Sequence, residues 1–358
     1  MLKKINSKTY IIAEIGVNHN GSLILAKKLI KEAKKSGADA VKFQNFKADN
    51  LTTKKAKQAP YQILNTKKKE EQYKMLKRLE LPNNHYFILK RYAQKNSIHF
   101  ISSVFDEESV DFLVNKLKNN LIKVPSGEIT NILLLKKLNI YKYKILLSTG
   151  MSNYKEIIDA INVIARNKVF KFQKQKVKLI NANILKKIKK NLCIMHCVTN
   201  YPVEDKQANL GCIENMINDF KLDIGYSDHT KGTMASVLAV SKGAKIIEKH
   251  FTLNEKMSGP DHLASLEPKE FKLMVSKIRL FETMLGDGNK KLQKCEIPNL
   301  KIARKSIVAK KLIKKYERFT YENLTVKRPG TGLSPFLIEK ILNKKSTRKF
   351  FPDQMIKI

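Results

Sequence analysis

Eight short apolar runs that alternate with helical stretches constrain the fold of this chain more than any other feature of its sequence. The runs are TYIIAEIG (9–16), DAVKFQ (39–44), IHFISS (98–103), NLIKVP (120–125), YKILLST (143–149), LCIMHC (192–197), LDIGYS (222–227) and KIIEKH (245–250). Several are rich in isoleucine and valine without polar alternation, which is typical of parallel strands buried on both faces. The segment 23–37 shows the helical pattern, because its apolar residues recur every three or four positions and Gly37 follows as a C-cap.

This alternation predicts a (β/α)8 TIM barrel and not a doubly wound sheet. We predict a barrel domain over 1–286, a polar linker over 287–300 and a small separate domain over 301–358. Two insertions interrupt this alternation of strands and helices, at 49–77 and at 166–190. The first follows a strand, on the face where barrels carry their active sites, so we expect it to cover a substrate. The second precedes a strand and is expected to be decoration on the opposite face.

The formal net charge of +38 raises the question of nucleic-acid binding, since clustered lysine and arginine neutralise phosphates. The lysines are spread along the whole chain, so we interpret them as biased composition that would attract small anionic substrates, and we expect no nucleic-acid partner. Because no run of 18 apolar residues and no cleavable leader is found, we expect no membrane partner and predict a cytoplasmic location. Four scattered cysteines are too few for a disulfide framework.

Every predicted strand ends on polar or ionisable residues, and in a TIM barrel these ends form the catalytic rim. Lys42 and Lys123 are flanked by apolar neighbours, which argues against ordinary surface lysines. Together with several hydroxyl groups they suit a phosphorylated and carboxylated anion. The carboxylates available for acid/base work or for binding hydroxyls are Glu14, Glu128, Glu248 and Asp261.

Two histidines end neighbouring predicted strands. His229 stands in SDHT and His250 in EKHF. Either one alone would be interpreted as a loop or core residue, but the pair points to a divalent metal ion. His196 lies in the middle of its strand and is expected to be structural.

Motifs along nearly the whole chain resemble, in order, those of the bacterial sialic acid synthases, a family that includes N-acetylneuraminate and N,N'-diacetyllegionaminate synthases. They are AEIGVNHNGS (13–22), VKFQNFKADNL (41–51), KVPSGE (123–128), LSTGM (147–151), GYSDHT (225–230), IEKHFT (247–252), SGPDH (258–262), RKSIVAK (304–310) and VKRPGTG (326–332). The resemblance implies a catalytic barrel joined to a C-terminal antifreeze-like (SAF) domain. It also implies a domain-swapped homodimer and the use of manganese or a similar ion such as cobalt or magnesium.

Carried over to matching positions, the resemblance implies roles for individual residues. Phosphoenolpyruvate would be held by Lys42, Ser103, Lys123, Ser126 and Ser227, with a looser phosphate contact from Thr199. The sugar would be held by Glu14, Gln44, Tyr201 and Asp261. His229 and His250 would bind the metal, and Arg328 would reach the sugar's N-acetyl group in the partner protomer. Tyr316 and Asn343 stand where glycine is usual in the small domain, which leaves the geometry of two turns open.

The implied reaction joins phosphoenolpyruvate, N-acetylmannosamine and water to give N-acetylneuraminate and phosphate. The alternative is an N,N'-diacetyllegionaminate synthase that uses 2,4-diacetamido-2,4,6-trideoxymannose. The sequence does not separate the two, because loops that it does not place meet the substituent on the sugar's C4. A divalent-metal aldolase on the same barrel and a non-catalytic basic binding protein are further alternatives, distinguished by phosphate release and by salt-dependent DNA binding without turnover.

Overall fold

The computed structural model describes residues 8–358, and the chain divides into two compact units. One unit ends at Leu285, and the other extends from Gly286 to Ile358. The predicted linker, 287–300, belongs to the second unit. The first residues, 1–7, where we predicted a polar start without a leader, lie outside the described residues.

Residues 8–285 of the first unit contain ten strands, and eight of them close into a barrel. The strands are β1 (Tyr10–Gly16), β2 (Ala40–Asn45), β3 (His99–Val104), β4 (Leu121–Val124), β5 (Lys144–Ser148), β6 (Phe170–Gln173), β7 (Lys176–Leu179), β8 (Leu192–Cys197), β9 (Asp223–Asp228) and β10 (Ile246–His250). The barrel order is β1-β10-β9-β8-β5-β4-β3-β2, and every adjacent pair is parallel. The predicted TIM barrel is therefore confirmed.

Helices connect the barrel strands, and those outside the first insertion pack around the barrel. They are α1 (Leu23–Lys35), α2 (Ala48–Leu51), α3 (Pro60–Thr66), α4 (Gln72–Leu79), α5 (Asn83–Lys95), α6 (Glu107–Asp111), α7 (Ile132–Lys137), α8 (Tyr154–Ile164), α9 (Ala182–Ile188), α10 (Gly211–Phe220), α11 (Met234–Ser241) and α12 (Pro268–Leu285). A π-helical turn, Phe112–Lys116, continues α6, and 3-10 turns occur at Ser126–Glu128, Asp205–Gln207 and His262–Ala264. Helix α1 is typical: the Ser22 hydroxyl caps it by accepting from the Leu25 N–H, and one face of the helix is buried.

The barrel interior changes from apolar to polar along the strands, and this change positions the site. Its inner apolar layer consists of Ile12, Ala40, Ile101, Leu121, Leu146, Cys193, Met195 and Ile246. Since side chains two residues apart share a face of a strand, the next inward positions lie one step nearer the C-terminal ends. Those positions include Glu14 after Ile12, Lys123 after Leu121, and Glu248 after Ile246. Apolar side chains therefore fill the barrel interior toward the N-terminal ends of the strands, and ionisable groups lie toward the C-terminal ends.

The two insertions have different structures. The first contains α2, α3 and α4, and residues of α3 and α4 line a cavity at the C-terminal ends of the strands. The second contains the antiparallel hairpin β6–β7 and α9, and it contributes no residue to that cavity. The expectation that the first insertion covers a site therefore agrees with the structure.

The second unit has its own small core. It contains α13 (Ile297–Ala303), α14 (Ile338–Ile341) and the antiparallel pair β11 (Ser306–Ala309) and β12 (Leu324–Lys327). Both turns that lack the usual glycine are left-handed, with φ of 69° at Tyr316 and 63° at Asn343. Their backbone N–H groups donate to Ser346 and Phe319 carbonyls, at 2.8 and 2.9 Å. Non-glycine residues thus adopt the glycine-like conformation at these turns.

Within residues 8–358, no helix has the length and apolar character needed to cross a membrane.

Candidate active site

A cavity opens at the C-terminal ends of the barrel strands, where barrels of this kind carry their active sites. All the site residues predicted in the barrel except Glu128 line it. They are Glu14, Lys42, Gln44, Ser103, Lys123, Ser126, Thr199, Tyr201, Ser227, His229, Glu248, His250 and Asp261. The structure therefore brings together side chains from seven of the eight barrel strands or the loops after them, and Ser148 from β5 completes the ring.

Two lysine–carboxylate pairs form what we call the cavity floor: Glu14, Lys42, Lys123 and Glu248. Lys123 Nζ donates to both oxygens of Glu248 at 2.8 Å, and Lys42 Nζ lies 2.8 Å from Glu14 Oε2. The pairs are joined, because Lys42 Nζ is also 3.6 Å from Glu248 Oε1. All four side chains are at most 6% exposed, so these charges are held in a low-dielectric setting.

The floor carboxylates differ in acidity. Burial alone would raise the pKa of Glu248, but Lys123 and Lys42 outweigh it and lower that pKa to about 2. Burial raises the pKa of Glu14, and Lys42 only partly offsets this effect. Glu248 is therefore held ionised as a fixed negative charge, while Glu14 is the better proton acceptor of the two. Gln44 donates to Glu14 at 3.0 Å and orients it.

Hydroxyl groups contact Lys42 and Glu248 of the cavity floor. Lys42 Nζ donates to Ser103 Oγ at 3.0 Å, and Ser227 Oγ donates to Glu248 Oε1 at 3.0 Å. Thr199 Oγ1 is buried and has no hydrogen-bond partner among the described residues. A buried hydroxyl without a partner is costly unless a ligand or water satisfies it. This group of donors is suited to an oxyanion that also meets the lysines.

The hydroxyl end of the cavity depends on a glycine in the loop after β5. Ser126 Oγ accepts from the Gly150 N–H at 3.1 Å and lies 3.1 Å from Cys197 Sγ. A Cβ on Gly150 would come within 2.1 Å of Thr199 Oγ1 and 2.8 Å of Ser126 Oγ. Any side chain at this position would therefore displace the hydroxyls, so the backbone must approach closely here.

His229 and His250 lie side by side, with ring centroids 5.6 Å apart. His229 Nδ1 is 2.6 Å from the Val198 carbonyl, so Nδ1 carries the proton and Nε2 keeps its lone pair. His250 Nδ1 is buried without a partner among the described residues. Burial lowers the pKa of His229 to about 4 and that of His250 well below its usual range. Both imidazoles are thus neutral at pH 7, as metal ligands must be.

The pair fits an open metal site and not a closed one. Residues 8–358 contain no group of three or more histidine, cysteine, aspartate or glutamate side chains placed to hold an ion. Two neutral imidazoles with available nitrogens would leave the other coordination positions to water or substrate oxygen. These two histidines could therefore hold an ion that also contacts a substrate.

A buried ion pair outside the barrel wall supports both histidines. Lys249 Nζ lies 3.0 Å from Asp228 Oδ2, and both side chains are 0% exposed. Asp228 also accepts from Thr230 N and Oγ1 and from Ser236 Oγ. Because side chains alternate along a strand, residues 228 and 249 face outward while their neighbours face the cavity. The pair thereby ties the end of β9, next to His229, to the end of β10.

The first insertion forms one side of the cavity. Asn65 Nδ2 donates to the carbonyls of Tyr201 and Pro260, at 3.3 and 2.6 Å, and so joins α3 to two barrel loops. The Tyr61 ring packs on the Tyr201 ring at 4.8 Å, and Tyr201 in turn lies 4.2 Å from the His229 ring. Aromatic surface thus covers the histidine pair from above.

Asp261 lines the same part of the cavity and is buried. Burial, assisted by the charge of Glu14, raises its pKa to about 7. Near neutral pH this carboxyl can therefore act as a hydrogen-bond donor or an acceptor toward sugar hydroxyls.

Comparison with known proteins agrees with this arrangement. A family model described as the NeuB family matches residues 29–290, and a SAF domain model matches residues 304–358. The chain belongs to the NeuB family of sialic-acid-type synthases. The predicted SAF domain is confirmed as well.

Several members of the NeuB family are similar over nearly their whole length. The N,N'-diacetyllegionaminic acid synthase of Campylobacter jejuni is 48% identical over 98% of this chain and 99% of its own. The protein of the same name from Legionella pneumophila is 42% identical over 94% and 90%. The crystal structure of the N-acetylneuraminic acid (sialic acid) synthetase of Leptospira borgpetersenii has a TM-score of 0.68 and 30% identity, and it covers 82% of this chain and 91% of its own.

Two predicted site residues do not line the cavity. Glu128 is absent from its lining, because its 3-10 turn directs the carboxylate to Asn131 Nδ2, at 2.7 Å. Its predicted catalytic role stays a prediction. Arg328 belongs to the second unit, where it is exposed and its Nε donates to the Ala303 carbonyl at 3.0 Å.

Sequence reasoning also missed residues that shape this NeuB-family site. Tyr61 and Asn65 lie in an insertion whose irregular pattern does not indicate which side chains point inward. Lys249 was overlooked beside His250, although a lysine inside an apolar strand is a signal for a buried ion pair. Cys193 and Cys197 are free and buried, as expected, but Cys197 also lines the cavity.

Proposed function

We propose that this enzyme condenses phosphoenolpyruvate with an N-acetylated amino sugar and water to give a nonulosonic acid and phosphate. The observation that carries the proposal is that two buried lysines and two neutral imidazoles share one cavity. The lysines suit a multiply charged anion, and the imidazoles suit a metal ion that meets a neutral oxygen. One cavity can therefore hold both substrates at once.

Phosphoenolpyruvate would lie over Lys42 and Lys123, with the hydroxyls of Ser103, Ser126 and Thr199 as further partners. Its carboxylate and phosphate need charged donors, and charge-assisted hydrogen bonds of this kind are each worth about 1.5 to 3 kcal/mol. Before the anion arrives, Glu14 pairs with Lys42 and Glu248 pairs with Lys123, each at 2.8 Å. Holding the enol carbon next to an aldehyde is largely catalysis by proximity and orientation.

His229 and His250 would hold a divalent ion, most simply Mn2+, with Co2+ or Mg2+ as alternatives. Such an ion supplies Lewis-acid polarisation of a carbonyl oxygen when it is bound. The sugar would be held beside it by Gln44, Tyr201 and Asp261, with the Tyr61 ring excluding water from above.

The reaction would form a carbon–carbon bond from C3 of phosphoenolpyruvate to the aldehyde carbon of the open-chain sugar. Water would then add to C2, and the bond from C2 to the bridging oxygen would break to release phosphate. Glu14 would take the proton of that water, since burial raises its pKa, and would pass it to the alkoxide formed from the aldehyde. Glu248 remains ionised and stabilises positive charge that develops at C2.

The finer proposal concerns the sugar. We propose 2,4-diacetamido-2,4,6-trideoxymannose as the acceptor and N,N'-diacetyllegionaminic acid as the product. Support comes from the two relatives of that name, at 48% and 42% identity, whereas the sialic acid synthetase structure is 30% identical. This revises the preference for N-acetylmannosamine that the sequence motifs suggested. N-acetylmannosamine is retained as the second candidate because the same cavity residues would bind its C1 to C3 end.

The test is a product assay with phosphoenolpyruvate and each sugar in turn. We expect phosphate and a nine-carbon keto acid in equal amounts with the diacetamido sugar, and a lower kcat/KM with N-acetylmannosamine. Phosphoenolpyruvate labelled with 18O at the bridging position should deliver the label to phosphate. Product formed from pyruvate without phosphate release would instead identify an aldolase and refute the proposal.

A further inference from the structure

The cavity has an apolar side as well as its charged floor. Five hydrocarbon side chains contribute to the lining, and together we call them the apolar wall: Val17, Met75, Leu76, Leu79 and Phe105. Val17 follows the last residue of β1, Phe105 follows the last residue of β3, and the other three belong to α4 of the first insertion. The wall therefore rises beyond the strand ends, while the floor groups lie within the strands.

The five residues of the apolar wall differ in burial. Val17, Met75 and Leu79 are 2 to 8% exposed and form a cluster with Phe46. Leu76 and Phe105 pack against that cluster but remain partly exposed. They are thus the two wall residues with apolar surface left for a ligand.

One polar side chain of the first insertion that lines the cavity is already occupied. Gln62 also lines the cavity, but its Oε1 accepts from the Ala59 N–H at 2.9 Å and from Gln72 Nε2 at 3.3 Å. A ligand hydroxyl placed against Leu76 would therefore lose water without gaining this acceptor, which is unfavourable. A methyl group in the same place would gain from the transfer out of water.

We infer that Leu76 and Phe105 select acceptor sugars that carry methyl groups at the C4 to C6 end, namely a 6-deoxy sugar with an acetamido group at C4. The inference rests on the proposed function, because that reaction places the aldehyde carbon at the floor beside the lysines and the histidine pair. The opposite end of an extended hexose then points out of the barrel, toward the wall. There the C6 methyl and the acetyl methyl meet hydrocarbon, whereas the C6 hydroxyl of N-acetylmannosamine does not find a partner.

The test compares kcat/KM for the two sugars at saturating phosphoenolpyruvate in the parent and in variants of the wall. Leu76→Gln keeps the length of the side chain and adds an amide. We expect it to reduce the preference for the diacetamido sugar about tenfold or more, within the range for losing one methyl-sized contact. Leu76→Met keeps the apolar character and should stay within about threefold of the parent, since such swaps conserve volume.

Two further variants keep the test decisive. Leu64→Gln changes a leucine of the same insertion that is 73% exposed and does not line the cavity, so it should leave the preference unchanged. Phe105→Tyr adds one hydroxyl at the wall and should raise relative kcat/KM for N-acetylmannosamine, which provides a second reading if Leu76→Gln unfolds. The inference would be overturned if both polar variants kept the parental ratio of kcat/KM for the two sugars, or if kcat/KM fell equally for both sugars. Either result would leave the proposed function intact. A parent that converts neither sugar would overturn the proposed function and this inference with it.

Discussion

Both carboxylate oxygens of Glu248 accept hydrogen bonds from the Nζ of Lys123, each at 2.8 Å, and the pair is buried at the end of the barrel. Strands β4 and β10 are not neighbours in the barrel, so this contact crosses its interior. The pair neutralises a charge that would otherwise be costly to bury, and it keeps Lys123 oriented before an anion binds.

Substituting Lys123 or Lys42 with methionine should raise the Michaelis constant for phosphoenolpyruvate about 10- to 100-fold, because one charge-assisted donor is lost. The constant for the sugar should change much less. Removing one partner of a buried pair also destabilises the fold, by about 3 to 5 kcal/mol, so urea unfolding must accompany the kinetics. Lys47→Met, in an exposed pair with Glu108, is the control and should cost about 1 kcal/mol or less. Equal increases in both Michaelis constants would contradict the assigned role.

His229→Ala should abolish most of the turnover and weaken Mn2+ binding, because it removes one of two proposed ligands. Binding can be followed by the electron paramagnetic resonance of free Mn2+ titrated into chelated protein, independently of activity. His99→Ala is the control, since His99 starts β3, at the opposite end of the barrel, next to the Tyr10 hydroxyl at 2.6 Å. Full activity of the exhaustively chelated parent would refute the metal proposal.

The sequence predicted the barrel strands to within one residue at each end, and the reason is physical. Strands buried on both faces consist of continuous apolar residues, and each polar break marks the point where a strand reaches the rim. The same polar residues at the strand ends include most of those that line the cavity. Glu128 is the predicted barrel residue that does not line the cavity, because a sequence pattern does not indicate that a 3-10 turn directs its side chain to Asn131. The apolar wall was missed, because α4 is placed by tertiary packing of the insertion.

Gly150→Ala should weaken phosphoenolpyruvate binding although it changes no polar group. The added Cβ would come within 2.1 Å of Thr199 Oγ1 and 2.8 Å of Ser126 Oγ, so both proposed phosphate partners must move. We expect a rise of about tenfold or more in the Michaelis constant for phosphoenolpyruvate, comparable to the loss of one or two hydrogen bonds. Gly211→Ala is the matched control, because nothing lies within 4 Å of a Cβ at that position. Parental kinetics for Gly150→Ala would show that these hydroxyls do not bind the anion.

Asp261→Asn should change how stability depends on pH. The raised pKa of Asp261, about 7, means that the folded protein keeps this proton after the unfolded chain has lost it, near pH 4. The unfolding free energy of the parent therefore falls as pH rises through this window and levels off above pH 7. Between pH 5 and pH 8 the variant should gain about 3 kcal/mol relative to the parent, measured by urea unfolding. Asp159→Asn, at an exposed helix position, is the surface control. A difference between Asp261→Asn and the parent that does not change with pH would contradict the burial argument.

The last prediction concerns Arg328, which we propose completes the sugar site of a partner protomer. A planar guanidinium beside a proline is well suited to a carbonyl acceptor such as the sugar's acetyl group. Arg328→Ala should therefore lower kcat/KM for the sugar about 10- to 100-fold. The arrangement is tested by mixing Arg328→Ala chains with His229→Ala chains. In a swapped dimer, one site of each heterodimer combines an intact barrel with an intact arginine. A fully exchanged equal mixture should then recover about a quarter of the parental activity, because half of the dimers are mixed and each has one complete site. If Arg328 serves only its own barrel, both sites of the heterodimer stay incomplete. No recovery after subunit exchange has been demonstrated by mass would reject the shared site.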